Sequence, residues 1–288
     1  MKETPPSFPI TVYLPDSTLR NPGRLLQGMF HDLLASRELA WRLAVRDISA
    51  QYRQTVLGLL WALILPMANT GVWLFLSGSG IISVSDTGLV PYPIYIFAGT
   101  MLWSIFMDAT NAPLQQTVAA KPILAKINFP REALIVSGIY QTLFNAGIKV
   151  AILIPAIFLL GVHPHWSLLW FPIGVFSLIL TGTVLGLLIT PVGVLYGDIG
   201  KSFPLVMQFL MYLTPVVFAI PASGLPAAIL KTNPLTPLIQ TSRDWLTGIP
   251  PEFLGYFIMV NLVVTILFFV MWVIYRAAMP ILIERMSA

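Results

Sequence analysis

Apolar residues in this chain come in long, nearly unbroken runs. About six such runs lie between Leu57 and Arg276, each near the ~20 residues needed to cross the hydrocarbon core of a bilayer. They predict membrane spans at Leu57–Gly78, Pro93–Leu114, Ala133–Leu160, Leu168–Leu195, Phe203–Ile220 and Phe253–Tyr275. Pro66 lies inside the first span and predicts a bend, because proline removes one backbone bond. The third run is longer than an upright span needs, which predicts tilt. Pro130 and Glu132 mark its start, proline fitting the first helical turn and the carboxylate complementing the positive helix end.

Ahead of the spans the pattern changes. Leu34, Trp41, Val45, Ile48 and Tyr52 fall on one stripe of a 3.6-residue helix, while Glu38, Arg42, Arg46 and Ser49 fall on another face. An apolar stripe with Trp and flanking Arg suits a helix lying in the headgroup plane, over residues 30–56. The alternative is an ordinary amphipathic helix packed on a partner. Residues 1–29 read as a polar, Pro-rich leader, 57–276 as the membrane domain and 277–288 as a tail. Pro221–Pro251 holds six prolines but also the short apolar pieces Leu225–Leu230 and Leu235–Leu246. It is too apolar for a solvated loop, so two short helices dipping back into the bilayer are expected there. The fold class is therefore all-α and polytopic.

Charge orients the chain. With six spans, thirteen Lys and Arg fall on the side of both termini and two, Lys231 and Arg243, on the other. That asymmetry predicts cytoplasmic termini. Composition agrees with a membrane protein: 57% of residues are hydrophobic and 10% charged, against ~25% charged in a typical soluble chain. There is no cysteine, so disulfides, thiolate metal sites and a Cys nucleophile are excluded.

Catalytic chemistry finds little support. Gly200-Lys201-Ser202 looks like the tail of a phosphate-binding loop, but the earlier glycine it needs is Leu195, and a membrane span replaces the soluble strand. Asp108 and Lys149 are the acid and base inside spans, too few for a proton relay and suited to helix-to-helix bonding or a pore-lining contact. His163-Pro164-His165 is the one candidate catalytic loop for a polytopic glycosyltransferase or acyltransferase. Trp61, Trp73, Trp103, Phe106, Tyr140, Phe144 and Tyr212 lie in or near spans and are candidates to line a passage and stack on sugar faces.

Three stretches together resemble one family. VRDISAQYRQTVLGLLWALILP (Val45–Pro66), KPILAKINFPRE (Lys121–Glu132), and LTPVVFAIP (Leu213–Pro221) followed by NPLTPLIQTSRDWL (Asn233–Leu246) are similar, in this order, to membrane permeases of type-2 ABC exporters of lipid-linked polysaccharide. The resemblance runs from about Leu34 to the C-terminus. It departs at Gly197-Asp198-Ile199, where the family usually has Arg-Asp-Ile. It implies a homodimer in a bacterial cytoplasmic membrane, with two copies of a separate ATPase carrying Mg-ATP and no cofactor in this chain. It also implies that residues 119–132 form a coupling segment, with Lys121, Ile123, Leu124, Lys126, Ile127 and Asp198 meeting the ATPase. Arg46, Tyr52 and Arg53 are then candidates to receive the lipid pyrophosphate, since guanidinium binds phosphate in a planar, paired geometry. The nearest rival is a type-2 exporter of a drug or small lipid.

Overall fold

The computed structural model describes residues 22–53, 58–81, 87, 89–124, 130–163 and 165–287. Regular structure among them is helical throughout. α1 (Pro22–Ala35) and α2 (Arg37–Arg53) precede α3 (Trp61–Gly78), α4 (Tyr92–Leu124), α5 (Glu132–Leu159), α6 (Phe171–Leu195) and α7 (Gly197–Tyr212). Two short helices, α8 (Leu225–Thr232) and α9 (Leu235–Thr247), lead to α10 (Leu254–Ser287). Four stretches are long and apolar enough to cross a membrane by length and composition: Trp61–Gly78, Glu132–Leu159, Trp166–Leu195 and Leu254–Pro280. The other two expected spans correspond to α4, with 33 residues, and α7, with 16. The protein is thus an all-α, polytopic membrane protein.

α4 and α6 form its centre, and small residues let them meet. A Cβ on Gly186 would sit 2.5 Å from the Thr110 carbonyl oxygen, and one on Gly182 2.6 Å from the Ala109 Cβ. Helices in lipid associate through such close contact, because lipid tails are as apolar as the side chains they would replace. Buried hydroxyls on both helices turn back to their own backbone. Thr110, Thr117, Thr181, Thr183 and Thr190 each donate to the carbonyl one turn earlier. That satisfies them where water is absent.

α9 packs inside this bundle rather than over it. Arg243 is fully buried, as are Leu238 and Ile239. Beside it the chain from Leu213 to Ile220 is non-helical, with Thr214, Val216 and Val217 at 0% exposure. Buried irregular backbone needs partners for its carbonyls. Arg243 Nη2 donates to Pro215 and Val216 oxygens at 2.8 and 3.1 Å, Tyr95 donates to Pro215 and Phe218, and Asn233 Nδ2 donates to Leu213.

Several boundaries differ from the expected ones. α1 begins at Pro22, inside the expected leader, with proline at a helix start where its missing N–H costs nothing. The expected interfacial helix is two helices, meeting at Ser36. α4 continues through Pro122 to Leu124, so part of the expected 119–132 loop is helical. α7 starts at Gly197, directly after the single extended residue Tyr196, where a loop to Ser202 was expected. It stops at Tyr212 instead of Ile220, because Pro215 has no N–H and its ring would clash with the Met211 carbonyl. The expected 277–288 tail is part of α10 as far as Ser287.

Candidate functional site

α2 lies along α5 with a face of small residues. Ala40 and Ala44 are fully buried there. Two aromatic contacts clamp it: Trp41 meets the Tyr140 ring edge-on at 5.8 Å, and Tyr52 meets Phe144 at 6.3 Å. Tyr52 also donates to Asn145 Oδ1 at 3.2 Å. The apolar stripe packs through these rings, and much of it stays outward. Leu34, Trp41 and Val45 are 71%, 58% and 42% exposed. Trp41 and Val45 are thus open to lipid or to a partner chain. Arg42 pairs with Glu38 and Arg46 Nε with Asp47, both on α2 itself, and Arg53 is exposed.

Beside α2 the structure opens a polar cleft. Two cavities of about 310 and 430 Å³ share Gln51, Asp108 and Asn145 as walls. Tyr52, Trp61 and Lys149 complete the first; Asp47, Asn111, Gln115 and Gln141 line the second. Lys149 Nζ on α5 donates to Asp108 Oδ2 on α4 at 2.8 Å and to Ser104 Oγ at 2.5 Å. The two in-span charges therefore satisfy each other. The amide side chains around them went unremarked in the sequence, because Asn and Gln give no periodic signal. The presence of one acid and one base in apolar spans was the signal available for the pair.

A second cluster ties helix ends together at the basic end of the bundle. Arg276 on α10 bridges Asp32 on α1, at 2.7 Å, and Glu132 at the start of α5, at 2.5 Å. Beside them burial lowers the pKa of Arg131, against the raising effect of Glu132. Lys121 Nζ donates to the Val194 carbonyl, 2.9 Å away, in the last turn of α6, where a cation offsets the negative helix end. Leu124 is buried with Met29, Leu134 and Trp272. These two expected coupling residues therefore face the protein's own helices. Asp198 is exposed in the first turn of α7. The Ile123 side chain, Lys126 and Ile127 lie outside the described residues.

The expected passage-lining aromatics fall into separate groups. Trp103 and Phe106 are core residues of α4, packed 5.1 Å apart and 6% and 0% exposed. Tyr140 and Phe144 hold α2 to α5. Trp73 and Tyr212 join α3 to α7 with ring centroids 6.2 Å apart, and Trp61 is half-exposed on the cleft. His165 accepts from the Ser167 backbone N–H, a turn-closing role, and no group of three His or carboxylate ligands suited to a metal occurs among the described residues.

The ABC-2 type transporter family matches residues 38–246, most of the chain, and the protein belongs to that family. It is a membrane permease subunit, and the ATPase of such a transporter is a separate chain. It is 22% identical over 216 residues to the O-antigen export system permease protein RfbA of Myxococcus xanthus, covering 74% of this chain and 82% of that one. The Klebsiella pneumoniae protein of the same name is 21% identical over 203 residues, 69% and 76% of the two chains. The polysialic acid transport protein KpsM of Escherichia coli is 23% identical over 239 residues, 76% and 88%.

Proposed function

We propose that this permease exports a polyprenyl-pyrophosphate-linked polysaccharide across the cytoplasmic membrane of a bacterium. The observation that supports this reading is the placing of α2 beside the cleft: Trp41 and Val45 stay exposed for lipid, and the cavities next to the helix combine amides and charges with the apolar wall of Trp61, Leu65 and Pro66. A substrate with a lipid anchor and a large hydroxylated head needs both surfaces. A drug or bare small lipid needs no polar wall of that extent. The names of the relatives, O-antigen export and polysialic acid transport, point the same way.

In this reading the chain works as a homodimer on two copies of an ABC ATPase, which bind Mg-ATP. Both termini are cytoplasmic. The segment Lys121–Arg131 docks into the ATPase with Asp198 beside it, while Lys121 and Leu124 fix the segment to α6 and α10 from within. Arg46 and Arg53 receive the pyrophosphate next to Tyr52. Trp61, Trp73 and Tyr212 remain the aromatics suited to a passage along the dimer interface. α8 and α9 form the external re-entrant pair.

The test is substrate-stimulated ATP hydrolysis by the purified permease–ATPase complex in nanodiscs. Stimulation by a polyprenyl-pyrophosphate glycan, well above that by short-chain lipids or amphiphilic drugs, is expected. Equal or stronger stimulation by the small molecules would replace this reading with the drug or small-lipid exporter.

A further inference from the structure

The polar cleft contains more hydrogen-bonding capacity than a structural contact between helices requires. Lys149 and Asp108 already satisfy each other and Ser104. Asn111 Nδ2 donates to the Met107 carbonyl, Asn145 Oδ1 accepts from Tyr52 and Gln141 Oε1 from Gln116, yet these amides and Gln115 also line open volume with their remaining donors and acceptors. Polar side chains facing a cavity among membrane spans mark ligand paths by default, since lipid-facing burial of such groups is costly. Each cavity is also within the ~300–1,000 Å³ of ordinary ligand sites.

The chemistry of the wall selects the ligand class. Each carboxylate of the wall already has its cation, Asp47 in Arg46 and Asp108 in Lys149. Asp47 Oδ2 is buried without a hydrogen-bond partner among the described residues, so the wall needs a donor rather than another anion. A phosphate would find no unpaired cation on this wall. Amides both donate and accept, which matches hydroxyl groups, since these do the same. Trp61 and Tyr52 at one end offer flat apolar faces to C–H bonds.

We propose that the cleft between α2, α3, α4 and α5 is a sugar-binding subsite that reads an uncharged, hydroxyl-rich unit of the substrate, with Asn111 and Asn145 as specificity-determining residues. The proposal rests on the polysaccharide reading and divides the substrate: pyrophosphate at the α2 arginines, the neighbouring sugar in the cleft.

The experiment exploits the absence of cysteine from the chain. Gln115→Cys places one thiol on the exposed wall of the second cavity. Its labelling rate by a maleimide is measured on the permease–ATPase complex in nanodiscs, with N,N′-diacetylchitobiose, maltose or inorganic pyrophosphate added. At least one disaccharide is expected to slow labelling while pyrophosphate does not. Adding Asn111→Leu and Asn145→Leu is expected to raise the protecting sugar concentration by roughly tenfold or more, the loss of two hydrogen bonds. Protection by pyrophosphate alone, protection by no disaccharide, or protection unchanged in the leucine variant would overturn the proposal. Because no transport is read, it can fail while glycan-stimulated hydrolysis stands, and hydrolysis can fail while sugar protection stands.

Discussion

The guanidinium carbon of Arg243 lies 3.6 Å from the centre of the Tyr95 ring, and the two side chains share the Pro215 carbonyl oxygen. One arginine on α9 and one tyrosine on α4 thus close the irregular segment after α7. Lys cannot reproduce the contact, because its point charge has no planar fork to span two carbonyls while stacking. Arg243→Met should leave the Val216 oxygen without its donor, at about 1–3 kcal/mol, and the Pro215 oxygen with Tyr95 alone. A fall in thermal midpoint of the detergent-purified protein is expected, with Arg243→Lys recovering only part of it. A wild-type midpoint for the Met variant would contradict this.

Helix contact at Gly186 leaves no room for a side chain, whereas an added Cβ on Gly147 meets nothing within 4 Å. Gly186→Leu should separate α4 from α6 or strain them, costing about 1–3 kcal/mol or more. Gly147→Leu should be tolerated. Comparing the monodisperse yields of the two variants checks the α4–α6 packing, and equal yields would argue against it.

Arg276, well inside α10, links that helix to the end of α1 through Asp32 and to the start of α5 through Glu132. Arg276→Glu should loosen α1 from α10 and speed proteolysis near Met29, which is buried there. The exchange of Arg276→Glu with Glu132→Arg should restore protection in part, since the α5 pair is remade and the α1 pair is not. Equal proteolysis in the single and exchanged variants would show that the charges do not cooperate.

Removing one partner of a buried ion pair typically costs ~3–5 kcal/mol. For Lys149→Met the low end applies, because the side chain of Asp108 is 32% exposed and reaches the cleft. The double variant Asp108→Asn with Lys149→Met should melt higher than Lys149→Met alone. The reverse order would mean that Asp108 is well solvated without its partner.

Lipid made part of this fold easy to read in the sequence. A span must be a long apolar helix, so α5 and α6 sit within three residues of the runs Ala133–Leu160 and Leu168–Leu195. α7 was harder. Its run to Ile220 is apolar apart from Gln208 and Thr214, but Pro215 ends the helix early, and the partner that makes this tolerable, Arg243, is 28 residues away. Arg243 itself counted as an external positive charge, when it is a buried one. The cleft shows the same limit. Asp108 and Lys149 were each visible as charges inside spans, yet their pairing across 41 residues depends on how α4 meets α5. The alanine face of α2 was hidden behind the more conspicuous Trp-bearing stripe, although Ala40 and Ala44 are the fully buried residues of the contact.

Vectorial transport tests the central claim most directly. The permease and its ATPase are reconstituted in proteoliposomes with the ATPase outward, and a polyprenyl-pyrophosphate glycan is supplied in the outer leaflet. ATP-dependent loss of the glycan from reach of an external glycosidase is expected, with sugarless polyprenyl pyrophosphate moved much more slowly. ATP hydrolysis without protection of the glycan, or equal transfer of the sugarless lipid, would contradict polysaccharide export.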